Sequence, residues 1–433
     1  MDRAPRRVVV TGLGIITPLG IGTSAFWEAL LAGQSGVHRI EAFDPAGLPT
    51  TFGGEVHGYD AKKFVPSNQR KNLKIMARDI QLAVGTAKLA LEDAGLFDER
   101  GDPERFGVEF GASMISSDLD EIAASAKECA GGPMKFDYKH WGTHAMGAMP
   151  PLWMLKYLPN MPACHVSILY DLQGPNNSLT QSEAAGTLAI CEAFRIIARG
   201  AADVMLAGGC DSRIHPLLLI RIGLLEVASR RNDAPERACR PFDADRDGLV
   251  PSEGAGVVIL EELEHAKKRG AKILVELVGF GAGCEAAGTD RRESDGTGMR
   301  IAIQAALRDA RMNPDDLGYY NANGVSTIDG DRAEARALRA AIGDQALEIP
   351  VSAHKSNMGN TVAACGAIEF AAGVLALQHG VIPPTINYEK PDPECPLSIV
   401  TGRARELKKP SFLSANATRL GQAAALIARK FEG

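Results

Sequence analysis

Apolar residues in this chain fall into short unbroken runs and longer stretches of helical spacing, and the two kinds alternate. Val8-Val9-Val10-Thr11-Gly12-Leu13-Gly14 is a continuous, largely β-branched run, the pattern of a strand covered on both faces. Helical spacing follows over 24–32, then a loop rich in Gly, Pro and Asp to about residue 70. An amphipathic helix is predicted over 76–94, stopped near Gly95, and a strand over 106–110 leads into Gly111-Ala112-Ser113. Strands are predicted over 166–170, 203–209, 257–260 and 273–280, with helices over 183–198 and 262–269. A second set repeats the order, with helices over 299–310, 332–342 and 363–378 and strands over 317–321, 349–352, 397–401, 411–414 and 424–429. The stretch 131–162, rich in Met, Trp and Pro, reads as a flap over the core or a subunit interface, and 231–254 as a polar, glycine-rich hinge. The alternation predicts an α/β fold of duplicated, layered αβαβα halves, divided as 1–265 and 266–433.

Composition narrows the function classes. With 47 basic and 53 acidic side chains the formal net charge is −6, which gives no general pull toward nucleic acid. No apolar run approaches the ~20 residues of a membrane span, and Met1-Asp2-Arg3 opens on no signal-like segment, so a cytoplasmic protein is expected. Eight cysteines lie scattered without a C-x-x-C pair and nine histidines show no ligand spacing; buried fillers are expected, with neither disulfides nor a metal site. Gly12-x-Gly14 begins like a dinucleotide fingerprint, but Thr17 and Pro18 stand where the third glycine belongs.

Several segments together resemble the elongating β-ketoacyl-acyl carrier protein synthases, condensing enzymes of the thiolase superfamily. They are 8–14 with Pro18-x-Gly20, Gly174-Pro175-Asn176, 203–209, Arg240-Pro241-Phe242-Asp243, Arg246-Asp247-Gly248, Glu253-Gly254-Ala255-Gly256 and Val381-Ile382-Pro383-Pro384-Thr385-Ile386-Asn387. They span nearly the whole chain in the family's order. The resemblance implies a thiolase fold, a homodimer or a heterodimer with an active ketosynthase, and acyl thioesters carried on the phosphopantetheine of acyl carrier protein, with no other cofactor.

Claisen condensation needs a thiolate to hold the acyl chain, favoured at a helix N-terminus, and two imidazoles at the developing enolate. The family's cysteine follows Gly-Pro-Asn in a T-A-C tripeptide, and the matching position here is Glu183. Its H-G-T-S-T run reads Asn323-Gly324-Val325-Ser326-Thr327, and its K-S-x-x-G-H run reads Lys355-Ser356-Asn357-Met358-Gly359-Asn360. The resemblance therefore places Glu183, Asn323 and Asn360 at the three catalytic positions. Of the threonine pair that binds pantetheine, Thr327 remains and Val325 has replaced the first. The gating loop aligns with Asn416-Ala417-Thr418-Arg419-Leu420-Gly421-Gln422, which puts Arg419 at the gating phenylalanine. Lys355, Glu369 and Asp331, supporting residues in the family, are present.

Three readings of Glu183 stay open on sequence grounds. It is a structural carboxylate paired with Arg419; or it mimics an acylated site, as in chain-length-factor subunits of polyketide synthases; or it is a base or nucleophile in a different thioester transferase or hydrolase. Asparagine can donate a hydrogen bond but cannot shuttle protons. The expectation is accordingly a non-condensing ketosynthase-like subunit of fatty acid, polyketide or unusual-lipid synthesis. His165 is expected in a packed interface, and His354 beside Lys355 is not assigned a role.

Overall fold

The first ten-residue strand sets the architecture, because all of its residues are buried and it runs through the middle of the protein. The computed structural model describes residues 5–131, 135–225, 227–286 and 294–433. Its principal strands are β1 (Val8–Thr17), β2 (Phe106–Ala112), β3 (Asn176–Leu179), β4 (Val204–Ser212), β5 (Glu253–Glu262), β6 (Val275–Cys284), β7 (Tyr319–Asn321), β8 (Pro350–Ser352), β9 (Ser411–Ala417) and β10 (Gln422–Arg429). The main helices are α1 (Arg78–Asp93), α2 (Met161–Tyr170), α3 (Ala185–Ala198), α4 (Thr297–Ala310), α5 (Ile328–Ile342) and α6 (Cys365–His379).

One sheet of 12 strands holds all ten in the order β8-β7-β9-β10-β6-β1-β5-β4-β2-β3, with short strands Ser398–Ile399 and Gly20–Ile21 attached. The order is a repeat. From β1 outward the pairings run antiparallel, antiparallel, parallel, parallel through β5, β4, β2 and β3. From β6 outward they run the same way through β10, β9, β7 and β8. β1 and β6 join the halves antiparallel, with Val9 opposite Glu276.

Side-chain alternation divides each strand between two cores. In β5, Val258 and Leu260 face a central cluster with α3 and α6, whereas Val257 and Ile259 face α1. In β10, Leu426 and Ala428 join the central cluster, and Ala425 and Ile427 pack with α4 and α5. This is the expected layering of the thiolase fold, two outer helix layers with α3 and α6 enclosed between the sheet halves. The run Val362–His379 is apolar and long enough to cross a membrane, contrary to the reading of the sequence, but 83% of it is buried inside the fold.

Three local expectations change. Residues 166–170 belong to helix α2, which starts with a proline in its first turn and ends at Asp171 in the left-handed conformation; a mostly apolar segment of five residues does not separate strand from helix. The supposed hinge at 231–254 is pinned: Arg240 meets Asp243 at 2.9 Å, Arg246 meets Asp392 at 2.8 Å, and Phe242 is fully buried. Two cysteines are not buried fillers, since Cys164 is half-buried and Cys284 exposed. Gly14 serves packing, for a Cβ there would lie 2.1 Å from the Thr86 carbonyl oxygen on α1. In the segment expected to be a flap, Tyr138, Met146, Leu152 and Met154 are exposed on the single chain.

Candidate active site

The repeat brings the first turns of α3 and α6 together at the centre of the molecule. Each helix is preceded by one 3-10 turn, Ser182–Ala184 and Val362–Ala364. Each turn opens on a residue at positive φ, Ser182 at 46° and Val362 at 45°. Such values are strained for side chains other than glycine, and β-branched Val362 is an outlier of the kind that cluster at functional sites. The helices approach through Gly186 and Gly366: a Cβ at Gly366 would sit 2.0 Å from Thr187 Oγ1, and one at Gly186 2.7 Å from the Ala363 carbonyl oxygen. Glu183 and Ala363 occupy equivalent places in the two turns.

Glu183 is 8% exposed and its Oε1 accepts a hydrogen bond from Asn360 Nδ2 at 3.2 Å. Asn360 is oriented in turn by Val362 N–H, which donates to its Oδ1 at 2.9 Å. Asn323 follows β7, and its backbone and that of Gly324 donate to Glu334 at 2.8 and 2.7 Å. Lys355 Nζ donates to Asn323 O at 2.7 Å, Asn323 Oδ1 at 2.9 Å and Glu369 Oε1 at 2.6 Å, with the Lys355 and Glu369 side chains fully out of solvent. Burial alone lowers an ammonium's pKa, but the neighbouring acidic groups, among them the Glu369 carboxylate that bonds it, outweigh that and leave Lys355 raised. The Lys355–Glu369 pair thus sits behind Asn323 as a fixed support.

Asp331 anchors the loop that carries Asn323. It accepts from Phe242 N at 2.7 Å and Ser326 N at 3.1 Å, with Arg246 Nε at 3.4 Å. Burial pushes its carboxyl up to about 7 against the pull of Arg246. Thr327 caps α5, accepting from Gly330 N at 3.2 Å.

Glu183, Asn323, Asn360, Val325, Thr327 and Arg419 all line one cavity of about 310 Å³. The three positions matched to the family's catalytic residues, 177 residues apart from Glu183 to Asn360, do converge. Arg419 converges only partly. It is exposed at the rim, and among the described residues no ion pair joins it to Glu183, so the expected buried pair is absent. The loop after β9 carries it outward while Ala417 keeps the inner place, accepting from Asn323 Nδ2 at 3.3 Å.

Two groups escaped the sequence reading. Asn416 donates to Glu369 at 2.6 Å and Asn323 at 3.2 Å and accepts from Thr187 at 2.6 Å, tying β9 to both central helices. Glu334 holds the Asn323 loop from α5. Glu334 carried a signal, an acidic residue three positions after Asp331 on a helix with an otherwise apolar inner face; Asn416 was marked only as the first residue of the gating loop, with no sign of these bonds.

Cys365 is the thiol nearest this centre, donating to the Glu183 carbonyl oxygen at 3.5 Å. It is fully buried, does not line the cavity, and burial pushes its pKa up, the reverse of an activated nucleophile. His354 is also fully buried, and burial pushes its imidazole down to about 3. His165, buried within the chain, lies on α2 away from the cavity. Among the described residues lining the cavity there is neither cysteine nor histidine.

Residues 5–266 match the family described as beta-ketoacyl synthase, N-terminal domain, and 274–389 match its C-terminal domain. The chain belongs to the β-ketoacyl synthase family. A 3-oxoacyl-[acyl-carrier-protein] synthase 2 of Coxiella burnetii is 38% identical over 414 residues, covering 94% of this chain and 95% of that one. Among solved structures, the ishigamide ketosynthase/chain length factor is 29% identical, with TM-score 0.86 and coverage of 99% and 100%. A type II polyketide synthase acyl-carrier protein in complex with its ketosynthase bound to the hexaketide is 30% identical, with TM-score 0.82 and coverage of 99% and 100%. In this chain the positions 183, 323 and 360 of the cavity carry a carboxylate and two carboxamides over a lysine–glutamate support.

Proposed function

We propose that this chain is a non-condensing ketosynthase subunit, similar in character to a chain-length factor, serving fatty acid, polyketide or unusual-lipid synthesis. It binds an acyl thioester on acyl carrier protein, an active ketosynthase, or both, and acts in dimeric form. The observation that carries this reading is the meeting of Glu183, Asn323 and Asn360 in one cavity whose described lining offers no thiol and no imidazole. Nucleophilic capture and proton transfer act as a unit in condensation, and removal of all the cooperating groups leaves nothing for one survivor to do. The likeness to a ketosynthase/chain length factor and to a ketosynthase complexed with its carrier protein supports the choice of partners. The exposed apolar side chains of the 136–155 segment and the exposed edge strand β3 suit a partner subunit. Use of Glu183 with Arg419 as a hydrolytic or transferring pair is disfavoured by the exposure of Arg419.

The test is extension of acyl carrier-bound primers with malonyl groups by the purified protein, alone and mixed with candidate ketosynthases. The expected result is no extension alone and a changed product length or rate in a mixture. Extension by the protein alone, abolished by Glu183→Ala, overturns the reading.

A further inference from the structure

The polar groups of the cavity floor are held in fixed orientations. The Lys355 ammonium donates to Asn323 Oδ1, which settles which end of that amide is oxygen and turns Nδ2 toward the Ala417 carbonyl. Val362 N–H settles Asn360 in the same way and turns its Nδ2 toward Glu183. Each NH2 uses one hydrogen within the protein and retains a second. Glu183 accepts from Asn360 alone among the described residues, which leaves Oε2 as an acceptor on the wall of the cavity. Of the described lining residues Glu183, Asp247, Glu285, Asp329 and Glu334 carry carboxyl groups, and Arg419 at the rim is the cation among them. The Lys355 ammonium lies behind the floor and is already met by three oxygens.

Resting on the reading of this cavity as a thioester site, we propose that Glu183 makes it selective for acyl thioesters bearing an O–H or N–H donor beside the thioester carbonyl, and selective against malonyl. The retained amide hydrogens of Asn323 and Asn360 suit a carbonyl oxygen. An acceptor-only carboxylate, 92% buried, gains from a ligand that brings a donor and loses from one that brings none. A malonyl carboxylate brings a second negative charge to Glu183 where little water screens the repulsion. A 3-hydroxyacyl group supplies a neutral O–H donor, and an aminoacyl group supplies N–H donors on an ammonium whose charge adds to the attraction.

Titration calorimetry of the full-length protein with pantetheine thioesters of 3-hydroxybutyrate, β-alanine, butyrate and malonate tests this. The expected order places one or both donor-bearing thioesters at least tenfold tighter than malonyl and severalfold tighter than butyryl; the tighter of the two identifies the source. Glu183→Gln is expected to bring malonyl to within about twofold of butyryl. Equal binding of all four by the unaltered protein overturns the selectivity and leaves the thioester reading standing. A preference unchanged in Glu183→Gln also overturns the role of Glu183. Failure of every thioester to bind overturns both.

Discussion

Asn360 and Glu183 belong to opposite halves of the topological repeat and meet through one amide hydrogen at 3.2 Å. The contact exists because the two strained turns at Ser182 and Val362 aim the first turns of α3 and α6 at each other. Position 183 thus faces a group supplied by the other half of the repeat.

Glu183→Cys alone is expected to leave condensation undetectable, because Asn323 and Asn360 still cannot exchange a proton. The triple variant with Asn323→His and Asn360→His is expected to exceed it by at least about 100-fold, the lower range of general acid–base contributions. Malonyl-dependent extension of an acyl primer measures both. Turnover by the single variant contradicts the reasoning.

Lys355→Met removes the cation from a fully buried pair and leaves Glu369 held by Asn416 alone. The expected loss is about 3–5 kcal/mol, read from urea unfolding. Adding Glu369→Gln is expected to recover part of it, since the stranded charge is then gone. A single variant as stable as the parent would show that the pair holds nothing in place.

Arg419→Ala is expected to change stability by less than about 0.5 kcal/mol, the usual range for an exposed side chain. A loss several times larger, measured in the same unfolding experiment, reveals a pair with Glu183 that the structure does not contain.

Asp79, on α1 and 7% exposed, accepts from Ser212 N at 2.9 Å. Burial, and after it the charge of Asp211, push its carboxyl up from 3.8 to about 7. The folded protein then binds more protons than the unfolded chain between about pH 4 and 7, so stability falls as pH rises through that window. Asp79→Asn keeps the acceptor and removes the titration. It is expected to match the parent near pH 4 and to exceed it by a few kcal/mol at pH 8. Thermal unfolding across that range checks this, and a gain independent of pH contradicts it.

Much of the architecture was legible in the chain because apolar periodicity is a local property. The central strand over 8–14, the helix over 183–198 and the repeat of the second half all appear within a residue or a few of their observed bounds. At 166–170 a five-residue segment with four apolar side chains fits either period, and packing on α1 decides for the helix. At 231–254 charge and glycine mimic a solvated hinge, whereas Arg240 pairs with Asp243 and with Glu389, and Arg246 with Asp331 and Asp392, carboxylates that for the most part arrive from beyond residue 330. Asn416 is legible only as the first residue of the gating loop and Glu334 only as an acidic residue near Asp331, because the hydrogen bonds each makes are to segments distant in sequence.

The identities of the residues at 183, 323 and 360, and the order of strands and helices that carries them, were properties of the sequence. That these three share a cavity, that Lys355 and Asn416 fix the Asn323 amide and Val362 N–H that of Asn360, and that Arg419 turns outward while Cys365 is sealed behind the floor were decided only in three dimensions. The reason is that burial and hydrogen-bond direction depend on which distant segments arrive at a position, and here the two halves of the repeat deliver their groups to the same point from positions up to 229 residues apart, as Thr187 and Asn416 do.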